Sequence, residues 1–431
     1  MAIIIALLIF SLIIVIHELG HFLLAKRNGI AVTEFSVGMG PRIASFEKNH
    51  TRYSLKILPL GGSCMMLGED EDSEDEKAFN SKPVWARISV IAAGPIFNFI
   101  LAFLLSLLIV GVVGYDPAVV TGVTAGGPAA EAGLQAGDRI VKIGNSSVAV
   151  GREVDDYFRF HPLGESPLEI VYERDGERYT AVLQPAVVEQ YMLGISYMAD
   201  QTPAVIEIAE EQTDYPLYQA GLRTGDIITA IDGTEIASGS EMSQYFQANP
   251  LTGQTIDITY VRDGEESTVS VTPKFYQSYY SAGFSYNLAR QRTDVLGTIR
   301  YSAVEVGYWI EYTVKSLGML FTGGVSLDDM AGPVGIVDMI GTTYEASRSD
   351  GTLYVVLNMA YLTILLSANL GVVNLLPIPA LDGGRLVFLF LEALRGKPIA
   401  REKEGFIHMI GLIALMALMV VVFFNDIFRL F

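Results

Sequence analysis

The sequence predicts a polytopic α-helical membrane protein with four transmembrane helices, a membrane-associated β-hairpin and two tandem α+β modules outside the cytoplasm. Three observations predict this class. The 431 residues are 51% hydrophobic and 18% charged, although the formal charge is −19. Four apolar stretches of spanning length are separated by polar segments, and one polar insert contains a sequence repeat. Most of the acidity lies in that insert, since residues 115–290 hold 10 Lys/Arg and 25 Asp/Glu.

The composition excludes several classes of protein and site. A nucleic-acid-binding protein shows a basic face or stripe, so a chain with a formal charge of −19 is expected to have no nucleic-acid partner. The single cysteine, Cys64, excludes an internal disulfide and a Cys-based structural zinc site.

The four apolar stretches are long enough to cross a bilayer, which takes about 20 residues. They comprise residues 2–25, 88–113, 353–381 and 406–424. The first is followed by Lys26 and Arg27 and by no small-x-small cleavage site, so a retained span is favoured over a signal peptide.

The bias of Lys and Arg between the connections predicts the orientation. Residues 26–83 hold eight Lys/Arg and residues 392–404 hold four, so both segments are expected in the cytoplasm. The insert then lies on the opposite side of a cytoplasmic membrane. The acidic tract 68–76 receives no assignment.

The insert contains an internal repeat. Residues 128–148 and 216–236 both read P-x-x-x-A-G-L-x-x-G-D-x-I-x-x-I, and each is followed by a predicted hairpin with an Asp-Gly turn, at 170–185 and 258–273. Two copies of one β-rich module are predicted, at about 117–198 and 203–287. The apolar spacing within 298–347 predicts either an interfacial amphipathic helix or a helix that packs against these modules.

His17, Glu18 and His21 form the H-E-x-x-H pattern inside the first span. Residues four apart share one face of a helix, so both imidazoles can bind one metal ion. In zincins this pattern supplies two zinc ligands and a general base. Ionisable groups within a span are costly, on the order of 2.5–3.5 kcal/mol each, and a bound metal compensates all three.

A catalytic zinc ion takes three protein ligands and leaves one position open. Asp382 is favoured as the third ligand because it is the first charge after the third apolar stretch. The predicted orientation puts it at the same membrane depth as the two histidines. A plain helix-end residue near Arg385 is the alternative. Pro377 and Pro379 cannot continue a regular helix, so they free backbone groups near the site.

The repeated Ala-Gly-Leu-x-x-Gly-Asp signature resembles that of PDZ domains. A PDZ domain captures an extended chain or a C-terminal carboxylate beside a glycine-turn loop. The matching loops are Leu193-Gly194-Ile195-Ser196 and Ala282-Gly283-Phe284-Ser285. Gly194 and Gly283 are therefore candidate substrate-binding residues, with a plain turn role as the equal alternative.

The chain as a whole resembles the bacterial site-2 protease family of intramembrane zinc metalloproteases, of the regulator of sigma-E protease type. The resemblance rests on H-E-x-x-H in the first span, on Asn374-x-x-Pro-x-Pro-x-Leu-Asp-Gly in a later span and on PDZ modules between them. It implies one zinc ion per chain, ligated by His17, His21 and Asp382, with Glu18 as the catalytic base. It also implies that Asn374 positions substrate and that Gly94, Pro95 and Asn98 support the site.

The resemblance implies hydrolysis of a peptide bond in or near the transmembrane segment of a single-span membrane protein, such as an anti-sigma factor trimmed beforehand by another protease. The PDZ pair would reject untrimmed substrates, whereas capture of a new C-terminus is the competing hypothesis. A hairpin at 35–62 is expected to pair with the unwound substrate through strand 53–58. Tyr53, Leu55, Pro377 and Pro379 are thus predicted to contact substrate.

These interpretations predict an active site near the cytoplasmic side of a bacterial cytoplasmic membrane. A membrane PDZ scaffold with a non-catalytic zinc site is the alternative function, and a zinc transporter is disfavoured because spans two and four carry few polar residues. No oligomeric state is predicted. The predicted boundaries are 1–26 (helix 1), 27–84 (hairpin loop), 85–115 (helix 2), 116–199 and 200–289 (PDZ domains), 290–350 (amphipathic region), 351–391 (helix 3), 392–404 (cytoplasmic loop) and 405–431 (helix 4).

Overall fold

The structure is a computed structural model that describes residues 2–69, 73–208, 214–287, 289–323 and 331–430. Parts of the predicted acidic tract 68–76 and of the region 290–350 lie outside these residues. The chain divides into two compact units. Unit 1 comprises Met1–Pro117, Ala149–Asp156 and Leu288–Phe431, and unit 2 comprises Ala118–Val148 and Tyr157–Asn287.

The helices of the described residues are, in chain order, α1 Ala2–Arg27, α2 Val84–Val113, α3 Pro128–Glu131, α4 Arg152–Phe160, α5 Pro216–Gln219, α6 Gly239–Ala248, α7 Val295–Thr322, α8 Pro333–Arg348, α9 Thr352–Leu375, α10 Asp382–Arg395 and α11 Arg401–Leu430. The strands are β1 Val32–Lys48, β2 Thr51–Met66, β3 Val119–Val123, β4 Arg139–Ile143, β5 Ser146–Ser147, β6 Leu168–Arg174, β7 Glu177–Leu183, β8 Ala186–Met192, β9 Ile227–Ile231, β10 Thr234–Glu235, β11 Ile256–Arg262, β12 Glu265–Val271, β13 Lys274–Ser281 and β14 Phe284–Asn287.

Among the described residues, four helices are long and apolar enough to cross a membrane: α1, α2, α9 and α11. They correspond to the four predicted spans. One buried cluster contains Ile13 of α1, Leu101 of α2, Leu362 of α9 and Ile340 of α8. Part of the apolar surface of α1 therefore packs on these three helices.

The third span ends earlier than predicted. Helix α9 stops at Leu375, and a second helix, α10, starts at Asp382, so the predicted continuous element 351–391 is two helices joined by a turn. The physical reason is local. Pro377 and Pro379 lack the N–H that a helix interior requires, and their rings clash with the preceding turn.

The described part of the region predicted as amphipathic, 290–350, forms α7 and α8. Tyr301 of α7 shares a buried cluster with Val150, which lies within the range predicted for the first module, but α7 also packs against two spanning helices. Its residues Val306, Tyr308 and Trp309 share a buried cluster with Ala102 of α2 and Ile364 of α9. Helix α7 is thus an integral part of the helical bundle of unit 1. Among its charged residues, Glu305 has specific partners in that bundle.

One of those charges, Glu305, belongs to a buried ion cluster within unit 1. Arg152 Nη2 lies 2.9 Å from Asp116 Oδ1 and 2.6 Å from Glu305 Oε2, and Arg152 Nη1 donates to the Tyr361 hydroxyl at 2.5 Å. Trp309 Nε1 donates to Glu305 at 2.9 Å. Buried charges need such complete partner sets because each lost partner leaves an uncompensated group.

Strands β1 and β2 form the predicted hairpin, but each folds back on itself so that the sheet has four segments. Phe35 pairs with both Cys64 and Tyr53, and Tyr53 also pairs with Phe46. Segment 51–55 therefore lies inside the sheet. Within the described residues the outer segments are 42–48 and 62–66, the latter paired with 32–37.

Unit 2 contains the two repeated modules in a nested rather than a tandem arrangement. One sheet has the order β14-β3-β4-β6-β7, and another has the order β10-β9-β11-β12. Strand β14 comes after both repeats in the chain but pairs with β3, Phe284 opposite Val123. A ribbon of β8 and β13 connects the two sheets. The predicted boundary between 116–199 and 200–289 therefore does not coincide with the strand pairing.

The repeated sequence motif has a repeated physical role. In the first module Arg174 Nε lies 2.6 Å from Asp138 Oδ1, and in the second Arg262 Nη2 lies 2.6 Å from Asp226 Oδ2. Burial alone would raise the pKa of Asp226, but hydrogen bonds from Arg262 and from the Arg223 amide outweigh it and lower that pKa below its usual range. The Gly-Asp and Arg-Asp-Gly segments are thus the two halves of one ion pair in each module, with a buried carboxylate and a partly exposed guanidinium.

Candidate metal centre and active site

His17, His21 and Asp382 meet between α1 and the start of α10. His17 Nε2 lies 3.2 Å from His21 Nε2. Asp382 Oδ2 lies 3.1 Å from His17 Nε2 and 3.5 Å from His21 Nε2. Both histidines are buried. These three ligand atoms form the one group of potential metal ligands identified within the described residues.

The spacing of the three atoms fits a zinc ion. Ligand atoms that are 2.0–2.2 Å from a tetrahedral zinc ion are about 3.4 Å apart, which matches the distances of 3.1, 3.2 and 3.5 Å. Among the described residues, buried Asp382 Oδ2 has no hydrogen-bond partner of acceptable geometry. An anionic oxygen in that situation needs a cation.

The other ring nitrogen of each histidine is fixed by α2. His21 Nδ1 lies 2.9 Å from the Val90 carbonyl oxygen, so it carries the proton and leaves the Nε2 lone pair for a metal. The Asn98 amide lies 3.2 Å from His17 Nδ1, and its Oδ1 atom has no partner among the described residues. Because the two ends of an amide are interchangeable by rotation, Oδ1 towards the ring accepts the Nδ1 proton. Asn98 is itself held by Ser367, which donates to its backbone carbonyl at 2.8 Å.

Helix α2 approaches the two histidines at Gly94. A Cβ atom there would be 2.7 Å from His17 Nε2, closer than real contacts allow. Pro95 follows within the helix and is buried. The predicted supporting residues Gly94, Pro95 and Asn98 therefore all lie on the segment of α2 that faces the site.

Glu18 lies beside the outer hairpin segment 62–66. A Cβ atom on Gly62 would be 3.2 Å from Glu18 Cγ. The neighbouring Cys64 thiol is kept protonated, because burial and the charges of Glu18 and Glu69 raise its pKa well above the ordinary value. Cys64 is not among the three ligand atoms that converge at the site. The predicted hairpin 35–62 stops short of most of this segment, although its Gly61-Gly62 pair is a signal for close backbone approach.

Asp382 is positioned by close packing at the start of α10. A Cβ atom on Gly383 would be 2.5 Å from the Leu375 carbonyl carbon, and one on Gly384 would be 3.0 Å from Pro379 Cα. Arg385, one turn after Asp382, forms an ion pair with Glu69. The two glycines let the helix begin directly against the turn. They account for the Leu-Asp-Gly-Gly sequence.

The residues predicted to bind substrate lie in different places. Asn374 is in the last turn of α9, and Pro377 and Pro379 lie in the following turn. Tyr53 lies in an inner hairpin segment and stacks on Phe46 with ring centroids 5.1 Å apart. Leu55, in the same segment, is exposed. Segment 53–58 is predicted to pair with substrate, but at Tyr53 and Leu55 both edges of this segment are already paired, with 35–37 on one side and with 44–46 on the other.

Arg42 fixes the fold of the hairpin. Its guanidinium binds Glu34 with Nε–Oε1 at 3.0 Å, and together with the Ser54 hydroxyl it lowers the pKa of Glu34 to about 2. Glu34 therefore stays ionised at neutral pH. The ion pair ties the outer segment 42–48 to the inner strand.

Each of the two predicted PDZ loops lies against the module other than the one in whose sequence range it falls. Gly283 has φ +75°, and its carbonyl accepts from the Thr124 amide at 2.9 Å beside the first module's sheet. Gly194 has φ +82°, and the adjacent Leu193 belongs to the core of the second module. Each loop thus serves the module other than the one to which the sequence assigned it.

The geometry of the site agrees with a comparison to known proteins. The sequence profile of peptidase family M50 matches residues 5–418. The chain belongs to peptidase family M50. "Zinc metalloprotease RasP" of Geobacillus kaustophilus is 34% identical over 98% of this chain and 97% of that protein. "Zinc metalloprotease RasP" of Bacillus licheniformis is 32% identical over 98% of both chains.

"Regulator of sigma-W protease RasP" of Bacillus subtilis is 33% identical over 98% of this chain and 97% of that protein. The solved structure "HtrA-type protease AlgW with decapeptide" covers 32% of this chain and 55% of that chain at 17% identity, with a TM-score of 0.19, too low to establish a shared fold. The M50 membership and these relatives make the chain a zinc metalloendopeptidase of the site-2 protease type and a bacterial membrane protein. Its cofactor is zinc.

Proposed function

We propose that this M50 peptidase hydrolyses a peptide bond in or near the transmembrane segment of single-span membrane proteins, with anti-sigma factors as the substrate class. The observation that carries the proposal is the convergence of His17 and His21, on a helix long and apolar enough to cross a membrane, with Asp382, while Glu18 adjoins His17 in the sequence. The name of the Bacillus subtilis relative supports the substrate class. Release of a cytoplasmic fragment makes the reaction a step of regulated intramembrane proteolysis.

Each side chain has a defined role in this proposal. His17, His21 and Asp382 would hold one zinc ion, which would supply the Lewis acidity needed to activate water at neutral pH and to polarise the scissile carbonyl. Glu18 takes the proton of the attacking water and passes it to the leaving amine. Asn98 and the Val90 carbonyl keep both imidazoles in the tautomer that leaves Nε2 free.

The substrate must be unwound before it can react, because a helix hides its carbonyls in internal hydrogen bonds. An unwound segment in lipid needs new backbone partners, and an outer strand can supply them by strand addition. We assign this role to segment 62–66, which is an outer segment of the hairpin and lies beside Glu18. Asn374, in the last turn of α9, would hold a further backbone group of the substrate, next to Pro377 and Pro379.

Proline substitutions test the assigned strand. Neighbouring N–H groups of a strand point in opposite directions. Of the two variants Ser63→Pro and Cys64→Pro, one therefore removes a hydrogen bond to 32–37, and the other removes an N–H group at the open edge. The variant that lacks the open-edge N–H is expected to lose at least about tenfold in cleavage of a tagged single-span substrate and to keep its zinc content. Ser45→Pro, on the opposite outer segment, is the control. Unchanged cleavage by both variants would refute the assignment.

The two modules of unit 2 are proposed to be PDZ domains outside the cytoplasm that reject substrates with a large exterior domain, while the zinc site lies near the cytoplasmic side. Capture of a trimmed C-terminus at the Gly194 or Gly283 loop is the competing role. Deletion of 118–148 and 157–287, with short linkers that keep 149–156 in unit 1, separates the two: a gate predicts faster cleavage of untrimmed substrate, whereas capture predicts loss of cleavage of trimmed substrate. An intact zinc content of the deletion variant is the control for folding of unit 1.

A further inference from the structure

The turn that precedes Asp382 has an unfavourable backbone conformation. Residues 376–381 connect α9 to α10, and Ala380 in this turn has φ +80°. This left-handed region is disfavoured for any residue with a Cβ atom. Pro377 and Pro379 offer no N–H for internal hydrogen bonds. Two backbone hydrogen bonds lie within the turn, from the Ile378 N–H to the Leu376 carbonyl at 2.7 Å and from the Leu381 N–H to the Ile378 carbonyl at 3.2 Å. Neither involves the Ala380 N–H, which takes its partner from another helix.

That partner is on α11. The Ala380 N–H donates to His408 Nδ1 at 2.8 Å, so the neutral ring carries its proton on Nε2. One turn further along α11, Gly411 lies against the same turn, where a Cβ atom would be 2.5 Å from Pro379 Cβ. On the other side the His408 ring packs on Phe388 of α10, with centroids 5.4 Å apart.

The location of His408 argues for a specific role. It is the one ionisable residue of the apolar stretch 406–424, and α11 is the least buried of the four spanning helices. Ionisable residues inside a span are costly and are retained where they have a function. His408 does not belong to the metal ligand set. Its Nε2 atom lies 3.9 Å from Glu404 Oε1 on the same helix, and its Nδ1 atom contacts the turn before Asp382.

We propose that His408 is a positioning residue for the zinc site. Its Nδ1 atom holds the Ala380 N–H, so that the left-handed turn presents the Asp382 carboxylate to the zinc ion held by His17 and His21. This inference rests on the proposed role of Asp382 as a ligand. Loss of the acceptor atom is then expected to weaken zinc binding although His408 does not touch the metal.

Three substitutions of His408 test the role of the acceptor atom. Asn places its Oδ1 acceptor at the position of Nδ1, Gln places its acceptor one bond further out, and Leu has none. The zinc dissociation constant of the full chain in detergent, measured by chelator competition, is expected to stay within threefold in His408→Asn. It should rise at least tenfold in His408→Gln and His408→Leu. If His408 acted through packing alone, His408→Leu would instead bind zinc more tightly than His408→Asn. Equal zinc affinities of the Asn and Leu variants, tight or weak, would overturn the proposal.

A second variant tests the strained turn directly. Glycine adopts φ +80° without strain, so adding Ala380→Gly to His408→Leu should recover at least threefold in zinc affinity, whereas Ala380→Gly alone should change it less than twofold. No recovery would contradict the proposed cause. Asp382→Asn separates the two hypotheses: retained zinc in that variant would refute the ligand set, whereas lost zinc there with retained zinc in His408→Leu would refute the positioning role alone.

Discussion

Replacement of Glu18 by Gln is expected to reduce cleavage of a tagged single-span substrate by about 10²–10⁴-fold and to leave one zinc ion bound per chain. Gln has the size of Glu but cannot take the proton of the attacking water. Glu18 is not among the three converging ligand atoms, so the zinc content should not change. Cleavage assays of purified enzyme in detergent, together with metal analysis, measure both quantities.

The control for this substitution is Glu47→Gln. Glu47 lies on the hairpin with a side chain that is 66% exposed, so its loss should leave cleavage within about twofold. If Glu18→Gln retains both zinc and full cleavage, then Glu18 is not the base. If neither wild type nor variant cleaves although zinc is bound, the scaffold alternative gains support.

Gly94→Ala is expected to abolish tight zinc binding. The added Cβ atom would lie 2.7 Å from His17 Nε2, at the atom that should bind the metal. Because both imidazoles are fixed through Nδ1 by α2, they cannot turn away without losing those contacts. Overpacking of this kind typically costs about 1–3 kcal/mol in stability, and we expect at least a hundredfold rise in the zinc dissociation constant.

Gly111→Ala provides a matched control on the same helix. The nearest atom to a Cβ there is Thr298 Cγ2 at 3.9 Å, which is an ordinary contact. Replacement of a helical glycine by alanine then stabilises by roughly 0.5–1 kcal/mol. The melting temperature should rise slightly in Gly111→Ala, with zinc affinity unchanged. Equal zinc affinities of the two variants would show that Gly94 is not needed for close approach.

The parts of this protein that could be predicted from sequence are those with local causes. Helical spacing brings His17 and His21 to one face of a helix wherever that helix lies. The length of an apolar stretch decides whether it can span a bilayer, and two prolines end α9 by their own chemistry. The repeated Gly-Asp and Arg-Asp-Gly segments indicated two related modules, because the same ion pair is needed in each.

Other features depend on which distant segments meet. Strand pairing, not sequence order, decides that β14 completes the first module and that segment 62–66 rather than 53–58 is an outer strand beside Glu18. Backbone atoms such as the Val90 carbonyl, which fixes His21, have no signature in a side-chain pattern. The same holds for His408 against Ala380.

The sequence by itself was enough to predict His17 and His21 as metal ligands, Glu18 as the base and the four spans, because helix periodicity and bilayer thickness act on consecutive residues. It also favoured Asp382 as the third ligand. Only the tertiary structure decided how that carboxylate reaches the histidines, since a turn between two helices, two glycines in contact with backbone and a histidine from a third helix set its position. The physical reason is that a metal site is a property of distances between segments far apart in the chain.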